Sequence, residues 1–193
     1  MKRLGFLISF ILFLTFDSLG QNSSVLSSGD WFKISTNNNG VYKVSFSDLE
    51  NLSVNTSNLQ TSSIHLFGNG GGMLPHLNND FRYSDLTANA IKIYDINNNG
   101  IFEDEDFFLF YGMSPDVWKF NETTNLFEHE THLFANEVNY FITIDNQLQG
   151  SRVKQESNLN NASKTITEYN AYAYHEQELE NLSHNSIWYF SSF

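Results

Sequence analysis

Short apolar runs, each closed by an Asn- or Gly-rich stretch, recur along this chain and leave little room for helices. Trp31-Phe32-Lys33-Ile34-Ser35, Val41-Tyr42-Lys43-Val44-Ser45-Phe46, Ser63 to Phe67, Ala90-Ile91-Lys92-Ile93-Tyr94 and Tyr140-Phe141-Ile142-Thr143-Ile144 read as strands. Asp106 to Tyr111 is nearly all aromatic or aliphatic, which suits a strand buried on both faces, and Phe127 continues the β pattern. Strands at such short spacing between turn signals predict a mostly β fold, a sandwich-like antiparallel β domain. One short helix is expected from Ser47 to about Ser53, because Ser47-Asp48-Leu49-Glu50 has the Ser-x-x-Glu spacing of a capping box. Asn37-Asn38-Asn39-Gly40 is expected to close a hairpin between the first two strands, since Asn and Gly accept positive φ. The chain has 18 Phe, 9 Tyr and 3 Trp but no cysteine, so packing rather than disulfides must hold it.

The first twenty residues read as a leader rather than as part of the fold. Met1-Lys2-Arg3 is a basic start, Leu4 to Phe16 is an apolar run, and Ser18-Leu19-Gly20 is a small-x-small cleavage site ahead of Gln21. That order is a secretory signal peptide, and the apolar run is short of the roughly 20 residues of a membrane-spanning helix. No transmembrane segment is expected after signal cleavage. The whole chain carries a net charge of −12. Such a surface repels phosphate backbones, so nucleic acid is excluded as a partner and cations are the natural small ligands.

Composition divides the rest. Residues 21–145 form a β-rich N-terminal domain, and residues 146–164, polar and poor in aromatics, read as a linker or mobile hairpin. Residues 165–193 resume the pattern: Thr165 to Tyr174 alternates, Glu176 to Leu182 reads as helical, and Trp188-Tyr189-Phe190 is an aromatic cluster. Such rings need partners to cover them, so this stretch is expected to be the incomplete start of a second module.

The strongest chemical motif is Asp95-Ile96-Asn97-Asn98-Asn99-Gly100-Ile101-Phe102-Glu103-Asp104-Glu105-Asp106, which has the spacing of a calcium loop. Side-chain oxygens of Asp95, Asn97 and Asn99 would converge with the carbonyl of Ile101, and Gly100 would permit the sharp turn. Asp106 stands where a bidentate Glu is usual, and its shorter reach weakens such a site. The flanks read as strands, so this is no helix-loop-helix hand, and the same letters also suit a polar hairpin turn with an acidic rim. Gly68 to Gly72 does not continue as a phosphate loop, lacking a Lys-Ser/Thr pair and a following helix, and reads instead as positive φ or close backbone approach. Glu128-His129-Glu130-Thr131-His132 misses the zinc-protease spacing by one residue, so its histidines are expected to be structural or solvated. There is no Gly-x-Ser-x-Gly elbow and no thiol, so no catalytic residue is assigned.

Three blocks in order carry a resemblance. Gly29-Asp30-Trp31-Phe32-Lys33-Ile34 with Asn39-Gly40-Val41-Tyr42-Lys43 is the first. Phe67 to Pro75, leading to Asp85-Leu86 and Asn89-Ala90-Ile91, is the second. Asn99 to Phe102 with Asp106 to Gly112, then Ser114-Pro115-Asp116 and Trp118, is the third. Together they resemble the N-terminal region of the PorU-type sortases of the bacterial type IX secretion system, which are gingipain-like cysteine peptidases. The likeness covers residues 26 to 145, and Tyr172 to Glu176 and Leu179 to Leu182 continue it loosely. It departs at His184-Asn185-Ser186-Ile187, where the family carries a Ser-Gly-Arg type stretch. The family's catalytic His and Cys lie in a later peptidase domain, so none maps onto this chain. The resemblance implies a non-catalytic domain at the periplasm, outer membrane or cell surface of a Gram-negative bacterium. Its implied partners are secretion-system components, cargo proteins or its own peptidase domain. The alternative is a free-standing calcium-dependent binding or adhesion module.

Overall fold

The computed structural model describes residues 24–157 and 166–168. The expected leader lies outside these residues, as does the rest of the expected second module. A 3-10 turn at Val25–Ser27 precedes strands β1 (Trp31–Thr36) and β2 (Gly40–Ser45), then helix α1 (Phe46–Asn51). A second 3-10 turn, Thr61–Ser63, leads into β3 (Ile64–Phe67), β4 (Ala88–Asn89), β5 (Ile91–Tyr94) and β6 (Phe107–Gly112). Strands β7 (Val117–Asn121), β8 (Leu126–Glu130) and β9 (Val138–Ile144) complete the order. The first sheet runs β1-β9-β3-β4, the second β2-β6-β5, and β7-β8 stands apart as a hairpin. Every strand pair is antiparallel. The architecture is therefore a mostly β, sandwich-like antiparallel domain with one short helix. Among the described residues, no helix is long and apolar enough to cross a membrane.

The core lies where the two sheets face each other. Ile64, Leu66, Tyr140 and Ile142 come from the first sheet, and Val44, Ile91, Phe108 and Phe110 from the second. Leu49 of α1 and the loop residues Val54, Leu59 and Phe102 join this core. Burying a side chain of this size contributes about 1.5–3 kcal/mol, and Phe102, Phe108, Phe110 and Tyr140 bring aromatic area into this core. Phe110 meets Tyr140 edge-on at 5.2 Å across the layers.

Three expectations need correction. The first two strands do not form a hairpin: β1 pairs with β9 and β2 with β6, so Asn37 to Gly40 carries the chain from one sheet to the other. None of those four residues takes the positive φ that a tight hairpin turn needs. The helix begins earlier than expected. Its N-cap is Ser45, whose hydroxyl accepts from the Asp48 amide while the Asp48 carboxylate accepts from the Ser45 amide, so the box is Ser45/Asp48 rather than Ser47/Glu50. Finally, β6 is buried on one face only: Phe108, Phe110 and Gly112 point inward, while Tyr111 is exposed.

Beyond β9 the chain stays on the domain for some distance. Ser151 to Val153 lies alongside β5, with the Ile91 amide donating to Ser151 at 3.2 Å and the Val153 amide donating to Ile91 at 3.1 Å. Arg152 sends its guanidinium to the carbonyls of Ser62 and Ile64 at 3.1 and 2.9 Å, and its burial lowers its pKa.

Candidate functional site

The loop between β5 and β6 carries all the residues singled out as metal ligands. Asp95 follows the end of β5, and Asp106 immediately precedes β6. Asp95 accepts the Asn99 amide at 3.2 Å and the Gly100 amide at 2.8 Å. Asn97 accepts the Asn99 amide at 3.1 Å, and Asn99 accepts the Ile101 amide at 2.7 Å. Asn98 at φ 56° and Gly100 at φ 81° supply the left-handed residues that this tight path requires.

Asp106 occupies a different environment. It is 2% exposed, and its two carboxylate oxygens accept the amides of Ile96 at 2.8 Å and Glu103 at 2.9 Å. It thus ties the two ends of the loop together from below. Ile101 sits in a bridge with Gln60, fixed by the Thr61 amide on the Gly100 carbonyl at 3.0 Å and the Phe102 amide on the Leu59 carbonyl at 2.6 Å. Glu103 is the residue that spacing alone did not single out. Its carboxylate accepts the side-chain amides of both Asn97 and Asn99, so it faces the same concavity. Its signal in the sequence was its place at the ninth loop position, where a ligand often acts through water.

The fit to a hard cation is partial. Asp95, Asn97, Asn99 and Glu103 carry the oxygen chemistry that calcium takes, but the oxygens of the first three accept backbone amides and Glu103 receives the side-chain nitrogens of Asn97 and Asn99. Asp106 is committed to backbone amides, and among the described residues no three His, Cys, Asp or Glu side chains converge as a cage.

At the glycine-rich loop, the structure supports the reading of close backbone approach. Gly70 and Gly72 have φ of 79° and 88°, and a Cβ at Gly71 would overlap the Ser114 carbonyl. The Gly72 amide donates to the Pro115 carbonyl at 3.0 Å, and the Ser114 amide donates to Asn39 Oδ1 at 2.9 Å. Residues from the three sequence blocks therefore meet in one place. A cavity of about 290 Å³ opens there, lined in part by Gly70, Gly71, Pro115, His132 and Glu137. His132 serves its own turn: its ring Nδ1 accepts the Ala135 amide at 2.9 Å, and its backbone amide donates to Asp116 at 2.8 Å. His129 lies on β8 with its ring 5.1 Å from Trp118.

No model of a known protein family matches the chain, and no curated protein matches it. Among solved structures it is similar to the crystal structure of dimeric latent PorU from Porphyromonas gingivalis, with a TM-score of 0.43 and 23% sequence identity. That likeness covers 62% of this chain and 10% of the other, so the chain spans about a tenth of that protein's length.

Proposed function

We propose that this chain is an exported, non-catalytic β domain of the type IX sortase kind, which braces a peptidase domain or contacts secretion components and cargo at the outer membrane. The observation that carries this reading is the meeting of the three blocks. The adjacent residues Ser114 and Pro115 of the third block bond directly to Asn39 of the first and Gly72 of the second, both distant in sequence, so the blocks form one structural unit. With no cysteine anywhere in the chain, it supplies no thiolate of its own. Deleting the gene in its own bacterium should leave cargo with type IX sorting signals uncut and unattached. Normal processing and surface display of that cargo would sink the reading.

A second reading, a calcium-dependent binding module, draws on the Asp95 loop. Asp95, Asn97 and Asn99 with the carbonyl of Ile101 would hold the ion, with Glu103 beside them and Asp106 bracing from below. Calcium at about 100 times its dissociation constant should stabilise the fold by roughly 2.7 kcal/mol. Melting with calcium and with chelator, in the parent and in Asp95→Ala, reads this directly. A parent melting temperature indifferent to millimolar calcium leaves a plain turn.

A further inference from the structure

The two sheets treat their outer faces differently. An antiparallel sheet packed on one side normally turns polar residues to water on the other. On the first sheet one end of the outer face is covered by chain, His65 and Thr143 being each 2% exposed, and the other end carries the polar, exposed Lys33, Ser35 and Asn139. Thr143 donates its hydroxyl to the Asp30 carbonyl at 2.9 Å, and Gly150 lies against the His65 ring.

On the second sheet the register sets which residues point outward. Val41 stands opposite Tyr111, Leu109 lies between Lys43 and Lys92, and Phe107 lies between Ser45 and Tyr94. Val41 is 69% exposed and Tyr111 60%. Phe107 stacks on Tyr94 with ring centroids 4.7 Å apart, and Lys43 Nζ stands 4.3 Å over the Phe107 ring. Strands β2, β5 and β6 contain no acidic residue, in a chain that has 22 of them. Carboxylates come from neighbouring elements instead: Asp48 on α1, which feels the charge of Lys43, and the Asp95–Asp106 loop joining β5 to β6. The face is thus apolar and aromatic, with two ammonium groups flanking Leu109.

We infer that this face is the docking site for the chain's own acidic and aromatic stretch, residues 169–182. That stretch offers Tyr172 and Tyr174 for the aromatic surface, Leu179 for the apolar surface, and Glu176, Glu178 and Glu180 for the two lysines. Charge complementarity selects it. A second copy would set lysines against lysines and bring together two chains of net charge −12, and an anionic membrane would meet the same overall repulsion. The route also favours it. Ser151 to Val153 lies beside β5, an outer strand of this sheet. The residues between Val153 and Tyr169 reach up to roughly 50 Å when extended, whereas three strands are only about 15 Å wide. The inference goes beyond the secretion reading and does not depend on it.

Because the chain has no cysteine, two introduced thiols are the only ones present. In the full chain, Val41→Cys with Glu178→Cys should close an intramolecular disulfide under mild oxidation. Closure should be at least tenfold faster than for Lys33→Cys with Glu178→Cys, whose first thiol is on the other sheet. Adding Lys43→Glu and Lys92→Glu should remove that advantage. Equal rates for the two pairs overturn the inference, as does predominant disulfide-linked dimer, which would assign the face to a second copy. A second readout needs no cysteine: nitration of Tyr111 should be several-fold slower in the parent than in the double lysine variant. Equal nitration counts against docking.

Discussion

Tyr140 puts a phenol in the core and still satisfies it, since its hydroxyl accepts the Met113 amide at 3.0 Å. Burial raises its pKa above the ordinary value of 10.0. The unfolded chain ionises this phenol near pH 10 and the folded one only above that. Stability from Tyr140 therefore holds below about pH 10 and is lost as pH rises through the folded value. Tyr140→Phe should leave the Met113 amide without its acceptor and cost about 1–3 kcal/mol, read as a lower denaturant midpoint at unchanged slope. The variant should also show a shallower alkaline loss. The glycines make a sharper contrast. Gly71→Ala drives a methyl into a backbone carbonyl and should cost about 1–3 kcal/mol. Gly40→Ala, with nothing within 4 Å of the new methyl, should stay within about 0.5 kcal/mol of the parent. Similar values for the two in one denaturation series would remove the close-approach reading of the Gly68–Gly72 loop.

Helix α1 was legible as an element but not at its boundary. Ser45-Phe46-Ser47-Asp48 and Ser47-Asp48-Leu49-Glu50 both offer a serine three residues ahead of an acid, and spacing alone cannot rank them. Burial does: starting at Phe46 turns Leu49 into the core. Hydrogen bonds from the Ser45 side chain and backbone hold the Asp48 carboxyl below its usual range. The cap is therefore intact above the ordinary carboxylate pKa and weakens as pH falls through the lowered folded value. Ser45→Ala should cost about 1 kcal/mol, whereas Ser47→Ala should cost a small fraction of that; the reverse order in thermal melts would restore the Ser47 cap. At the other extreme, β7 escaped the sequence reading although Val117 to Asn121 alternates. Neither of its faces is buried, so the pattern marks no inside. The Asp95 loop was legible in its turn-forming residues, Asn98 and Gly100, but the role of Asp106 was not. A carboxylate that ties backbone amides beneath a loop looks, in sequence, the same as one that points out of it.

Pairing across the whole molecule was the least legible level, because strand patterns name a face and not a neighbour. Nothing in Trp31 to Thr36 says that its partner is Val138 to Ile144 rather than the strand just beyond Gly40. A turn without positive φ at Asn37 to Gly40 decides it, and only backbone angles reveal that. The central place of β9, between β1 and β3, makes a clear expectation. A chain ended at residue 137 should lose the first sheet altogether and show neither cooperative melting nor slow amide exchange, whereas one ended at residue 157 should keep both. A cooperative transition in the shorter chain would mean that the second sheet folds alone. The same topology sets a clock. Trp31 pairs with Thr143, so at about 5–20 residues per second of synthesis the first strand waits roughly 5–20 seconds for its partner. The second sheet waits too, since Gly40 needs Gly112. During that interval the first sheet stays open even though the second has all three of its strands once Gly112 has emerged, so the two-layered core is completed only when β9 arrives.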